Sequence, residues 1–204
     1  MFKKAGLFLA LVGIIAILSI VAYLLFLRFA PVSDSRTQAN VQYFYNKPSQ
    51  IPSEVKIKII KSNRALELYG GGVMIGRFKV GLGYASSGDK IKEGDGQTPI
   101  GKFYICTRVQ SQYKYFLGIS YPNKEDAKRG LNDGLISQDE FDKIYQSIDS
   151  KEKPPWNTKL GGAIGLHGSN DSADWTAGCI ALSEAGIDAI WEYAKMGTPV
   201  EIVA

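Results

Sequence analysis

Apolar and basic side chains alternate through Val55-Lys56-Ile57-Lys58-Ile59, and alternation resumes from Arg64 to Tyr69. Gly70-Gly71-Gly72 then separates this stretch from a third apolar run, Val73 to Leu82. Period-two patterning broken by a glycine turn predicts half-buried strands joined as a β-hairpin. Gly101 to Val109 and Thr198 to Val203 predict further strands. Two helices are marked by their ends. Ser137-Gln138-Asp139-Glu140 has the form of a capping box and precedes Phe141, Ile144, Tyr145 and Ile148 at helical spacing. Ser183 can cap a second helix, which places Ile187, Ile190, Trp191 and Ala194 on one face before Gly197 and Pro199 end it. The pattern predicts a mainly β domain with a few helices.

Upstream the pattern changes character. Ala5 to Leu27 is a 23-residue run without charge. At about 1.5 Å per helical residue it is long enough to cross a hydrocarbon layer roughly 30 Å thick. Lys3 and Lys4 precede it, which favours a cytoplasmic N-terminus and an exported C-terminal domain. The alternative is a cleaved signal peptide, but the segment Arg28-Phe29-Ala30-Pro31-Val32 has no clean small-residue cleavage pattern. The expected organisation is a membrane anchor at residues 1–28, a linker at 29–52 rich in Ser, Gln, Asn and Pro, and a catalytic domain at 53–204. Within that domain, residues 110–159 are expected as an insertion forming a lid or wall over the cleft.

The formal charge of +4 shrinks once the anchor is set aside. Beyond Lys3, Lys4 and Arg28 there remain 21 basic and 20 acidic residues. A nearly neutral domain lacks the clustered surplus of Lys and Arg that nucleic-acid binding requires. Cys106 and Cys179 are the only cysteines, too few for a disulfide framework. A single bridge between them is the alternative to free thiols, and the context of Cys179 argues against it.

That context is Ile164-Gly165-Leu166-His167-Gly168-Ser169, followed by a polar loop and Asp174-Trp175-Thr176-Ala177-Gly178-Cys179-Ile180-Ala181-Leu182. It holds the one histidine of the chain. A thiol attacks as thiolate, and an imidazole beside it is the simplest way to remove its proton near neutral pH. A strand carrying His167 and a return carrying Cys179 would bring the two together across their 12-residue separation. Small residues before the cysteine leave room for backbone N–H groups to approach an oxyanion. The bland readings are an inert buried cysteine and a structural histidine, and Cys106, inside the β-rich run Phe103 to Thr107, is read as core packing. A lone histidine argues against a zinc site, so no metal and no cofactor are expected. Asp89 and Asp95 lack the spacing of phosphate or calcium loops and are read as turn residues.

His167-Gly168 with Thr176-Ala177-Gly178-Cys179 resembles the signature of the L,D-transpeptidase catalytic domain, also called the YkuD domain. The resemblance extends through Lys61 to Tyr69, Val80-Gly81-Leu82-Gly83, Gly88-Asp89-Lys90, Gly94 to Ile105, Tyr121-Pro122-Asn123 and Thr158 to Gly162, in order. It implies a β-sandwich of the L,D-transpeptidase type, with the inserted lid-like segment, preceded by one transmembrane helix. It also implies that Cys179 is the nucleophile, His167 the proton acceptor, Gly178 a backbone donor to the oxyanion and Thr176 the residue whose carbonyl orients the histidine. Gly168, Ser169 and Trp175 would line the substrate cleft. The implied partners are peptidoglycan stem peptides, a wall-linked lipoprotein in some members, and the membrane. The implied activity is acyl transfer from a thioester to an amine, giving direct cross-links or protein attachment outside the cytoplasm.

Ala181 stands where the family commonly has arginine, and the segment Asp-Trp-Thr-x-Gly-Cys-Ile-Ala resembles a subgroup that includes hydrolases. The alternative reading is therefore an L,D-carboxypeptidase or amidase that hydrolyses stem peptides or releases wall-attached lipoprotein. Sortases share an anchor with Cys and His, but the Thr-Leu-x-Thr-Cys run is absent around Cys179.

Overall fold

The computed structural model describes residues 42–169 and 173–204. The expected anchor at residues 1–28 and the linker up to residue 41 lie outside them. Among the described residues no helix is long and apolar enough to cross a membrane.

Among the described residues there are nine strands: β1 Phe44–Tyr45, β2 Val55–Ile60, β3 Ala65–Gly70, β4 Val73–Gly81, β5 Gly101–Ser111, β6 Lys114–Ile119, β7 Gly165–Gly168, β8 Ile180–Leu182 and β9 Pro199–Val203. Three helices, α1 Lys124–Asn132, α2 Gln138–Asp149 and α3 Glu184–Tyr193, complete the described elements. The hairpin expected across Gly70-Gly71-Gly72 is β3–β4, and β2 in turn pairs antiparallel with β3, where Ile57 and Ile59 lie opposite Leu68 and Leu66 and all four are fully buried. Lys56 and Lys58 alternate to the outer face, as the period-two pattern requires. On that face Arg77, Glu67, Lys58, Glu201 and Lys102 follow one another across five paired strands, an alternating row of charge.

The strands run in the order β4-β3-β2-β9-β5-β6-β7-β8, and β8 pairs back with β4. The sheet therefore closes on itself as an eight-stranded barrel, which corrects the expected sandwich. Closure depends on the length of β4, which offers one edge to two partners. Arg77 and Gly76 pair with Phe44 and Tyr45 of β1, whereas Val80 and Gly81 pair with Leu182 and Ala181 of β8. A closed sheet leaves no long unpaired edge. Phe44 and Tyr45 thus belong to the fold, not to the linker, and a Lys47–Glu192 ion pair at 3.0 Å ties the same segment to α3.

The barrel interior is one apolar cluster that includes Ile57, Leu66, Ile105, Leu117, Leu166 and Ile180. Helix α3 supplies Ile187, Ile190, Tyr193 and Ala194 to it, the face expected from spacing with Tyr193 added and Trp191 partly buried. A smaller cluster of Ala127, Ile136, Ile144 and Leu160 holds α1 and α2 together.

The expected insertion is corrected at its start. Residues Lys114 to Ile119 form barrel strand β6, between β5 and β7, so the segment outside the barrel begins after it. Helix α1 was not anticipated. It begins on a capping box in which Asn123 and Asp126 bond each other's backbone, and Arg129 ties it to Asp89 at 3.1 Å and to the Lys90 carbonyl at 2.7 Å.

Candidate active site

Strands β7 and β8 are parallel neighbours with Leu166 opposite Ile180 and His167 opposite Ala181. Leu166, Ile180 and Leu182 point into the core. Alternation therefore turns His167, Ala181 and, two residues earlier, Cys179 to the outer face of the same strand pair. Cys179 directly precedes β8, two residues before Ala181, the residue opposite His167 in the parallel register. The two residues the sequence motif singled out thus lie on, or directly before, neighbouring strands.

His167 is buried at 4 % exposure, and its Nδ1 lies 2.9 Å from the Gly168 carbonyl oxygen. A carbonyl can only accept, so Nδ1 carries the proton and Nε2 keeps its lone pair. Burial lowers the imidazole pKa below its ordinary 6.5, against an opposing contribution from the Gly168 carbonyl. Two aromatic rings flank the imidazole: Tyr113 at 4.8 Å between centroids and Trp175 at 5.8 Å, the latter edge-on. Tyr113 sits in the turn between β5 and β6, and its carbonyl accepts the Gly168 N–H at 3.0 Å. A Cβ at position 168 would meet that carbonyl at 2.6 Å, so only glycine permits the approach.

Cys179 is partly exposed and not in a disulfide, as is Cys106, which is buried. Its Sγ is 3.6 Å from the Ala163 carbonyl oxygen. Burial pushes the thiol pKa up, while the Gly165 N–H and the Lys90 ammonium work in the opposite direction by favouring thiolate. Lys90 is itself buried and held by Asp95 at 2.8 Å. Both shifts favour the uncharged forms, thiol and neutral imidazole.

The turn before Cys179 is closed by its own hydrogen bonds. Gly178 N–H donates to Thr176 Oγ1 at 3.1 Å, and Thr176 Oγ1–H donates to the Cys179 carbonyl at 2.7 Å. The Gly178 N–H is engaged within the turn, because a threonine hydroxyl two residues upstream closes a local side-chain turn. The Thr176 carbonyl accepts the Tyr84 N–H at 2.9 Å, drawn there by the parallel bridge between Gly83 and Thr176. The carbonyl at His167 Nδ1 belongs to Gly168 instead. Gly178 remains necessary for another reason. Its φ is +134°, and a Cβ there would lie 2.6 Å from the Gln97 carbonyl oxygen.

Of the other expected cleft residues, Trp175 is 41 % exposed beside His167. Ser169 N–H bonds the Leu182 carbonyl at 2.6 Å, and with Gly168 it lines a cavity of about 250 Å³ shared with Gln112, Tyr113, Lys114 and Glu184. A cavity of about 790 Å³ lies at the starts of β2 and β9, lined by Lys56, Lys58, Tyr69, Met196 and Pro199 among others. It contains no residue of the motif, so chemistry and not volume locates the site. Arg64 and Asp174 were missed as supports. Asp174 accepts from Arg64 at 2.7 and 3.0 Å and from Leu82 N–H at 2.9 Å, fixing the residue before Trp175. The positive φ of +47° at Arg64 turns β2 into β3, a strain that gives no cue in composition. Among the described residues no group of three potential metal ligands occurs.

Cys106 lies on β5, where burial pushes its pKa up to about 11. A thiol so disinclined to ionise is a poor nucleophile. Cys106→Ala is expected to acylate within about twofold of the unaltered chain, as read by stopped-flow consumption of a thioester-forming donor.

The partly exposed Cys179 directly precedes β8 of the closed β-barrel, and the buried His167, to which no side-chain carboxylate is bonded among the described residues, lies on the neighbouring strand β7. The L,D-transpeptidase catalytic domain profile matches residues 54–202, and the chain belongs to that family. No curated protein matches the chain. Among solved structures it is similar to an L,D-transpeptidase from Xylanimonas cellulosilytica, at 15 % identity and TM-score 0.42 over 78 % of this chain and 65 % of that one. It is also similar to the helical cell shape determining protein Pgp2 from Campylobacter jejuni, at 20 % identity and TM-score 0.49 over 78 % and 48 %. L,D-transpeptidase 1 of Mycobacterium tuberculosis matches at 13 % identity and TM-score 0.44 over 74 % and 62 %. The chain spans about two thirds or less of the length of these structures.

Proposed function

We propose that this protein is a peptidoglycan L,D-transpeptidase in which Cys179 forms a thioester with a stem peptide and passes the acyl group to an amine. The observation that supports the reading is the parallel register of β7 and β8, with His167 opposite Ala181 two residues after Cys179, in a chain of the L,D-transpeptidase family. As Sγ attacks the stem-peptide carbonyl, the thiol proton moves to His167 Nε2 and the carbonyl carbon becomes tetrahedral. The Cys179 N–H is the adjacent backbone donor for the oxyanion once Gly178 is engaged with Thr176. Collapse breaks the amide C–N bond, His167 returns the proton to the departing D-amino acid, and the thioester remains. An acceptor amine then attacks the thioester, loses its proton to His167 and releases the thiol.

The same reading places the domain outside the cytoplasmic membrane, tethered by the charge-free run Ala5 to Leu27. Hydrolysis is the second reading, and Ala181 favours it. That residue is fully buried opposite His167, so no cation at this position is offered to a substrate carboxylate. Incubating the full-length chain with purified tetrapeptide muropeptides separates the two. Directly cross-linked dimers are the expected product. Tripeptide monomers alone, at high acceptor concentration, would establish the hydrolase.

A further inference from the structure

His167 receives its orientation from an unusual source. Among the described residues no carboxylate or amide side chain bonds the imidazole, and its one hydrogen-bond partner is the Gly168 carbonyl at 2.9 Å. A single contact at Nδ1 limits the ring less than the paired contacts of a side-chain triad. What surrounds the ring instead is aromatic. Tyr113 lies 4.8 Å away at an interplanar angle of 35°, Trp175 lies 5.8 Å away at 69°, and the two are 6.1 Å from each other. Both are about two-fifths exposed while the imidazole is 4 % exposed, so these rings form its outer cover. Each arrives on its own tethered segment. The Tyr113 carbonyl is bonded to Gly168 N–H, and Trp175 follows the Asp174 carboxylate clamped by Arg64.

We propose that Tyr113, acting with Trp175, is a positioning residue that holds the His167 ring in the rotamer pairing Nδ1 with the Gly168 carbonyl and shields it from water. The inference rests on His167 being the base of the proposed reaction. The geometry explains why an exposed tyrosine is placed in the turn between two barrel strands, where a polar residue would otherwise suit. Ring–ring contact, not the phenol hydroxyl, is the operative feature, because the two faces meet at contact distance. Removing the ring frees the imidazole to rotate and admits solvent. A misplaced base of this kind loses rate without losing substrate affinity.

The test uses the lone histidine of the full-length chain, whose imidazole carbon-bound protons give an unambiguous NMR titration, together with the pre-steady-state acylation of Cys179. Besides Tyr113, the titratable groups on the elements packed around the ring are Lys114, Asp174, Cys179, Glu184 and Asp188, and all of these are kept. Tyr113→Phe is expected to titrate and acylate within about twofold of the unaltered chain. Tyr113→Ala is expected to slow maximal acylation about tenfold with little change in half-saturation, and to move the histidine titration upward toward 6.5. Tyr113→Leu, which keeps bulk, guards against a folding defect and is expected between the two. Unchanged titration and unchanged rate in Tyr113→Ala would overturn the positioning role, as would a Tyr113→Phe variant as slow as Tyr113→Ala. If His167→Ala acylated at the unaltered rate, the base assignment itself would fall, and that outcome is separate from either.

Discussion

Cys179→Ala is expected to form no acyl-enzyme at any pH, with a loss in turnover of at least about 10⁴-fold. No other described group can substitute. Cys106 is buried on β5 with its pKa pushed up to about 11, so it supplies neither access nor thiolate. The alanine should leave the fold in place, because Cys179 precedes β8 and the register of Leu166 with Ile180 is set by residues beyond it. Unaltered circular dichroism with no thioester by intact-protein mass spectrometry is the expected pair of results. Turnover surviving in this variant would remove the nucleophile from the account.

His167→Ala is expected to lower acylation about 10²–10⁴-fold near neutral pH, the usual contribution of a general base. The resting thiol is held protonated by its buried surroundings, so attack depends on a base that acts during the step. The pH dependence follows in sign. Burial depresses the His167 pKa, and the active form is the neutral one, so activity should persist below 6.5 and fall as pH drops through the depressed value. Stability follows the same direction. The unfolded chain takes up the proton first, near 6.5, so the stabilising contribution of a neutral buried histidine is full above that pH and is lost as pH falls through the folded value. An acid limb unchanged in His167→Ala would show that another group titrates. In that variant alkaline pH should partly restore the rate, because hydroxide can remove the thiol proton without the imidazole.

Local patterns carried much of this fold. The alternation from Val55 to Tyr69 became β2 and β3, and the Ser137–Glu140 capping box became the start of α2. Nonlocal pairing was not visible. Closure of the barrel depends on Val80 and Gly81 meeting Leu182 and Ala181, residues far apart in sequence with no shared signal. Tyr115-Phe116-Leu117-Gly118-Ile119 is a short continuous apolar run, which periodicity cannot assign, and it lay within a stretch read as an insertion. Helix α1 was missed because Lys-Glu-Asp-Ala-Lys-Arg-Gly-Leu-Asn buries little apolar surface, and its anchors are the Asp126 cap and the Arg129 ion pairs.

At the site, residue type singled out Cys179 and His167 as candidates, while hydrogen-bond direction escaped. Whether the Gly178 N–H faces an oxyanion or the Thr176 hydroxyl depends on a two-residue turn, and the Asn-free segment gave no signal for it. Tyr113 could have been noticed as an aromatic residue between Gln112 and Lys114, a turn where polar residues prevail. Its contact with a histidine so distant along the chain required the β6–β7 pairing of Phe116 with His167.

The most direct measurement is rapid-quench mass spectrometry of the full-length chain mixed with a tetrapeptide muropeptide, followed by peptide mapping of the adduct. The account predicts a transient mass increase equal to the donor minus its terminal D-amino acid, located on Cys179 and absent from Cys106. Release of tripeptide or cross-linked product with no adduct on Cys179 at any quench time would contradict it.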